Sequence, residues 1–220
     1  MRTVRAFADQ AAIAIENACL FEGKQVSHHR LQVLYDLNNK LAETLDSRVI
    51  IERSTAIARD ALEGDVADYY HYHGGHDQIE LVSSVGRNQE EIEIIKNSLI
   101  TLEDTGDLQW VLENQRSVRM SNVLDDERWI VIPNLDNDIR SLITVPVFID
   151  DQLSGAISVL HRQENAFREE HEELLNAISQ QTGLALNNAQ RYKEVERLLN
   201  ELEARQEMQS TLFEHQIGRA

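Results

Sequence analysis

The sequence predicts an α+β fold, and three observations carry that prediction. Both flanks place apolar residues at helical spacing with almost no glycine or proline. The centre switches to strand-like runs around a glycine pair, a hairpin signal. Residues 140–149 are apolar on both alternating faces, which fits a central strand covered on both sides. Helices, then antiparallel hairpins, then a helix make a layered α+β arrangement. Composition agrees: 42% of the 220 residues are hydrophobic, enough for a core, and nine glycines and two prolines are few, as long regular elements require.

The opening flank, Val4 to Leu45, has one glycine, Gly23, and apolar residues at Phe7, Ala11, Ala14, Ala18, Phe21, Leu31, Leu34, Leu41 and Leu45. A second helix starts with Asp46 as N-cap, runs through Val49, Ile50, Ile57 and Leu62, and is stopped by Gly64. Asp65–His73 and Gln78–Val85 read as strands flanking Gly74-Gly75. Asn88–Leu99 and Asp107–Asn114 read as short helices, Ser117–Ser121 as a short strand, and 121–138 as a long acidic loop with Trp129 and Pro133. In the central strand, Leu142, Thr144, Pro146 and Phe148 share one face, and Ile143, Val145, Val147 and Ile149 the other. Asp150-Asp151 turns the chain into Gln152–Arg162, where Leu153, Ile157 and Val159 oppose the small Ser154, Ala156 and Ser158. Phe167 to about Phe213 is one helical pattern. Within it, Tyr192, Val195, Leu199 and Leu202 alternate steps of three and four, a coiled-coil seam that Gln206 and Gln209 continue with polar residues.

A shift of 171 residues lays 7–18 on 178–189, with Gln10/Gln181, Ala14/Ala185, Asn17/Asn188 and Ala18/Ala189 identical. Two unrelated alanine-rich amphipathic helices share such spacing by chance; a true repeat also explains the common Asn-Ala end. The expected organisation is therefore a terminal helix of a preceding unit with linker over 1–27, a complete domain over 28–192, and a signalling helix over 193–220. The last residues, 212–220, weakly echo 34–42, as if a further unit were beginning.

Charge and cysteine content narrow the function. Lys and Arg number 21 against 38 Asp and Glu, a formal charge of −17. From Glu63 to Asp150 eighteen acidic residues face six basic ones. Such a field repels phosphate backbones and anionic lipid, so neither nucleic acid nor a membrane surface is an expected partner. A single cysteine, Cys19, excludes a disulfide framework and thiolate-rich zinc sites. No apolar run approaches the ~20 residues of a membrane span and the N-terminus has no signal pattern, so a cytoplasmic setting is expected.

Four stretches then resemble the GAF domain family. The helix from Leu34 to Asp46 is similar to the family's opening. Residues 106–118, with Gly106, Trp110, Val111 and Val118, resemble its G-x-x-x-W-V-x-x-x-x-x-P-V segment, Ser117 standing where proline is usual. Arg140-Ser141 through Val145-Pro146-Val147, followed by Gly155, Ile157 and Val159, resembles the paired central strands R-S-x-x-x-V-P-V and G-x-I-x-V. Phe167 through Tyr192, with Leu174-Leu175, Gln181, Ala185 and Asn188-Ala189, is similar to the closing helix. The resemblance covers roughly residues 31–195. It implies a central antiparallel sheet with long terminal helices packed on one face, and short helices and loops roofing a small-molecule pocket on the other. It also implies a sensor role without catalysis.

Candidate sites follow. His71, His73 and His76 bracket the hairpin; at metal-ligand spacing they would hold an ion, and as polar aromatics at a wet hairpin end they would hold nothing. We read them, and His28-His29, as solvent-facing, with no metal site. Some members of the resembled family attach bilins to a cysteine inside the domain, beside a histidine. Cys19 precedes the domain and is followed by Leu20, so it reads as a small buried hydrophobe. The family's sulfoxide reductases need several cysteines. Its cyclic-nucleotide motif survives here as Asn165, Phe167 and Glu172, with Ala166 and His171 replacing lysine and aspartate. Ser141 and Ser154 lack a glycine elbow and an adjacent histidine, no phosphate loop occurs, and His215 lacks a phosphoacceptor context, so no catalytic residue is expected.

Trp110, Trp129, Arg140, Ser154 and Ser158 are the expected ligand-binding residues, under a roof formed by Asp107–Val111, Trp129 and Arg140; the same residues would also serve as core and loop packing. The cofactor is left open. The expected function is a non-catalytic sensor domain of a two-component or similar signalling protein. It binds an unidentified small molecule, or pairs as a homodimer through its terminal helices, and relays a signal to an output domain outside this chain. The alternatives are a ligand-free dimerisation spacer and a cyclic-nucleotide-binding domain.

Overall fold

The structure is a computed structural model that describes residues 28, 30–74, 78–97, 106–130 and 135–217. Its elements are α1 (30–42), α2 (Ser47–Ala61), β1 (Val66–His73), β2 (Gln78–Val85), α3 (Gln89–Asn97), α4 (Gly106–Asn114), β3 (Val118–Met120), β4 (Ser141–Ile149), β5 (Gln152–His161) and α5 (Glu169–Ile217). A 3₁₀ turn at Val123–Asp125 follows β3. Every strand pair is antiparallel, and the sheet order is β2-β1-β5-β4-β3. The predicted α+β class and antiparallel sheet are what the chain adopts.

Period-two alternation splits the sheet into two faces. On one, Ala67, Tyr69, Ile143, Val145, Val147, Ile157 and Val159 meet Leu37 and Leu41 of α1, Ile50 and Ala58 of α2, and Leu174, Leu175 and Ile178 of α5. On the other, Val66, Tyr70, Leu81, Leu142, Ala156 and Leu160 lie beneath Ile95 of α3, Leu108, Val111 and Leu112 of α4, and Leu135 and Ile139 of the loop before β4. The sheet therefore separates a helix-covered face from a roofed face.

Local chemistry sets the boundaries, with three departures from the sequence reading. Asp46 caps α2 as expected, its carboxylate accepting the Arg48 N–H at 2.9 Å. The left-handed residue after α2 is Glu63, at φ 53, and not Gly64; Gly64 is needed because a Cβ there would run into the Val159 side chain. The opening helix ends at 42, leaving Leu45 beyond it and 42% exposed. The third departure is in β5. Val147 pairs with Gly155 and Phe148 with Leu153, so Ser154 is an extra residue in a bulge. The bulge puts Leu153, rather than Ser154, on the roofed face with Ala156. Asp150 and Asp151 both take positive φ, as a tight two-residue hairpin demands.

α5 has two halves. Leu174, Leu175, Ile178, Leu186 and Ala189 are buried in the helix-covered core, whereas every residue from 190 to 206 is exposed. Tyr192, Val195, Leu199 and Leu202 are each 54–55% exposed. Among the described residues no helix is long and apolar enough to cross a membrane. The first copy of the repeat, Cys19, His29, Gly75, His76, Pro133 and residues 218–220 lie outside the described residues.

Candidate functional site

Four polar residues stand abreast across four strands. The register sets Ser84 beside Asp68, Asp68 beside Ser158, and Ser158 beside Thr144, so a polar row crosses a mostly apolar sheet. Hydrogen bonds join it in two pairs. Ser84 Oγ donates to Asp68 Oδ1 at 2.6 Å. Thr144 Oγ1 donates to Asp107 Oδ2 at 2.8 Å; with its one hydrogen committed there, it accepts from Ser158 Oγ at 2.9 Å.

Asp107 enters from the first turn of α4, where the helix N-terminus favours a carboxylate. Burial outweighs that preference and pushes its pKa up to about 6, against the lowering effect of the Thr144 hydroxyl and the backbone N–H groups at the start of α4.

Arg87 enters from the turn after β2. Gly86 precedes it at φ 96, against the Asp65 carbonyl, where a Cβ has no room. The Arg87 side chain is 2% exposed, and that of Asp68 is fully buried. Arg87 Nε and Nη2 donate to Asp68 Oδ2 at 2.8 and 2.7 Å. Its Nη1 and Nη2 donate to Asp136 Oδ1 and Oδ2 at 2.6 and 3.3 Å. Burial opposes the charge on Arg87, but Asp68 foremost, then Tyr70 and Asp136, hold it firmly protonated. Burial also drives the Tyr70 hydroxyl well above its ordinary pKa, and Asp68 adds to the effect. Asp136 sits above the usual carboxylate range because burial there exceeds the help from Arg87.

These groups line a cavity of about 50 Å³ between sheet and roof, room for a few water molecules. Asp68, Arg87, Asp107, Asp136 and Ser158 supply its polar wall; Trp129, Ile95, Leu108, Leu135 and Leu160 are among its apolar residues. The roof is closely fitted. Gly106 abuts the Arg128 carbonyl so tightly that no side chain fits. The Arg128 guanidinium is held by Asp126 at 2.6–2.8 Å and lies 5.1 Å from the centre of the Trp110 ring, a cation–π contact.

The expected site residues scatter. Trp129 and Ser158 line the cavity, as do Asp107 and Leu108 of the expected roof. Trp110 packs beside it under Arg128. Arg140 donates instead to the Asn137 and Ile139 carbonyls at 3.1 and 2.7 Å, and Ser154 occupies the β5 bulge. Sequence reasoning missed Asp68, Arg87, Asp136 and Thr144. Asp68 and Thr144 did leave a signal, as polar residues inside strand runs rich in apolar neighbours; nothing local marked Asp136.

Elsewhere, the His71 and His73 rings meet edge to face at 4.6 Å, and burial, then the neighbouring His73, lowers the His71 pKa. His73 Nε2 lies 3.2 Å from Glu80. Among the described residues no group of three or more His, Cys, Asp or Glu is placed to hold a metal. The partial nucleotide motif is structural in its contacts. Phe167 packs between the His161 and His171 rings, and Glu172 accepts from Ser117 and Arg119 at 2.5 and 3.2 Å, tying α5 to the β3 edge.

A sequence model of the GAF domain matches residues 44–187. No curated protein matches the sequence. Among solved structures, the fold is similar to the GAF domain of an Acinetobacter phosphoenolpyruvate-protein phosphotransferase, at 19% identity and TM-score 0.62, covering 75% of this chain and 97% of that one. It is similar to the free methionine-R-sulfoxide reductase of Neisseria meningitidis, solved with its substrate, at 16% identity and TM-score 0.65, covering 76% and 93%. It also resembles the phycoerythrobilin-bound GAF domain of a cyanobacterial phytochrome, at 15% identity and TM-score 0.59, covering 74% and 97%.

Proposed function

The chain belongs to the GAF domain family, a family of sensor and regulatory domains, and from that premise we propose that it is a non-catalytic, cytoplasmic ligand sensor that signals as a homodimer. Residues 28–192 form the sensing domain, and the helix beyond 192 leads to an output domain. A small molecule enters the cavity under Trp129, and occupancy is relayed along α5.

The observation that carries this reading is the continuity of α5. One 49-residue helix is rooted in the core by Leu175 and Ile178 and runs outward with a bare apolar seam. A solvated helix gains nothing from Tyr192, Val195, Leu199 and Leu202 at three-four spacing; a second copy of α5 covers them in a coiled coil. A shift at the cavity moves the roof and sheet against the buried half, and the exposed half carries that shift away.

The solved relatives support a ligand role in kind, since one was solved with a substrate and another with a bilin. Two ligand classes known from such folds do not suit this site. The bilin and a cyclic nucleotide both exceed a cavity of about 50 Å³, and the nucleotide's phosphate would meet three carboxylates. The same small volume favours a second reading, a ligand-free dimerisation spacer. Sedimentation velocity at micromolar concentration tests the relay. The wild-type chain sediments as a dimer and the Leu199→Glu/Leu202→Glu double variant as a monomer; a wild-type monomer unaffected by the double substitution refutes it.

A further inference from the structure

The ion pairs of Arg87 are unequal in origin. Asp68 and Arg87 come from β1 and the turn after β2, and with Ser84 they form a neutral unit fixed to the sheet, the two charged side chains buried. Asp136 comes from the loop before β4, at φ 56, and brings a second carboxylate to a guanidinium that Asp68 already neutralises. Its side chain is 12% exposed, against 2% for Arg87. The surplus carboxylate spans two Nη donors in the bidentate manner by which arginine receives a free carboxylate. Next to this contact the cavity continues into an apolar wall of Ile95, Leu108, Trp129 and Leu160.

We propose that Asp136 is a built-in stand-in for the ligand: the cavity takes a small monocarboxylate with a short apolar tail, whose carboxylate replaces that of Asp136 on the Nη1/Nη2 edge of Arg87. This rests on the cavity being the ligand site. The exchange leaves the charge around Arg87 unchanged, because one carboxylate leaves as another arrives. It vacates the volume of the Asp136 carboxyl, which the head group needs in so small a space, and the tail lies against Trp129. Asp136 returns to water, where its charge is better solvated. Release of Asp136 frees the loop ahead of β4, so ligand capture and loop movement become one event. The intramolecular carboxylate also lowers apparent affinity by the fraction of time it holds Arg87.

The probe is propionate, with propionamide and propylammonium as neutral and cationic counterparts, each titrated into the full chain. Binding is read by the Arg87 Nε–Hε NMR signal and by tryptophan fluorescence. Propionate shifts the Arg87 signal, and Asp136→Asn tightens its apparent affinity about tenfold or more by removing the competitor. Arg87→Lys in the Asp136→Asn background abolishes the gain. Should that double variant fail to fold, the Arg87 signal of Asp136→Asn decides alone. Propionamide or propylammonium binding in preference to propionate overturns the stand-in while leaving the cavity a ligand site. An Asp136→Asn chain that is folded by circular dichroism and answers none of the three probes overturns the stand-in; the sensor reading then stands or falls on whether a molecule copurifies with the chain.

Discussion

The two faces of the sheet use the same strands for opposite ends. On β1, Ala67 and Tyr69 look into the helix-covered face, while Asp68 and Tyr70 look into the roofed one. On β5 the division is Ile157 and Val159 against Ala156 and Ser158, and on β4 it is Ile143 and Val145 against Leu142 and Thr144. The helix-covered face is an aliphatic seal; Tyr69 places a buried hydroxyl there, and burial pushes its pKa up to about 12 against the lowering effect of Ser154. The roofed face collects Asp68, Arg87, Asp107 and Asp136 around one cavity, with Arg87 in a buried ion pair. A fold seeking stability alone gains little from such a pair, since buried ion pairs replace hydrophobic contacts at best evenly. One face thus anchors α5, and the other carries the polar-walled cavity in which the proposed ligand would sit.

The comparison breaks most sharply at Arg87. Arg87→Ala leaves Asp68 buried and unpaired, and the expected loss is about 4 kcal/mol by chemical denaturation. Adding Asp68→Asn recovers a substantial part, because the stranded charge goes with it. Failure of that rescue would mean that the roofed face is held by packing, like its opposite. On the helix-covered face, Leu175→Ala removes a fully buried side chain and costs about 3 kcal/mol. No nearby polar substitution rescues it, since what is lost is volume.

The smallest effect is pH-dependent and belongs to the roofed face alone. The folded state holds the Asp107 proton more tightly than the unfolded chain does, with a pKa near 6 against an ordinary carboxylate value. Its stabilising contribution is fully present below pH 3.8, the ordinary carboxylate value, and is lost as the pH rises through about 6. Asp107→Asn, which keeps an acceptor for Thr144 without a charge, should therefore stabilise the protein by on the order of 2 kcal/mol at pH 7.5 and by no more than about 0.5 kcal/mol at pH 4. Thermal melts at the two pH values check it; an equal change at both would place Asp107 in a solvated setting.

Much of this architecture was legible in the residues. Alternation in β4 assigned Ile143, Val145 and Val147 to one face and Leu142 and Thr144 to the other, because a strand covered on both sides keeps strict period two. The same rule failed in β5, where the bulge at Ser154 inserts one residue and resets the faces; no local feature announces a bulge of this kind. Of the cavity lining, Trp129, Ser158 and the start of α4 were named from the sequence by aromatic content and small size. The charged heart was not. Arg87 and Asp136 are 49 residues apart, and their pairing depends on the Gly86 turn and the loop before β4 meeting over β1, a tertiary fact without a sequence period. Asp68 was visible as a lone acid in a strand, yet its partner was not.

The central claim is that the roofed face holds a small molecule. A native mass spectrum of the purified full chain tests it directly, with wild type compared against Ser158→Val, which puts methyl groups into the cavity without touching the ion pairs. The wild-type chain is expected to carry a low-mass adduct, released on collisional activation and absent from Ser158→Val. The bare chain mass in both spectra, with both proteins folded, would contradict it and leave the domain a dimerisation spacer.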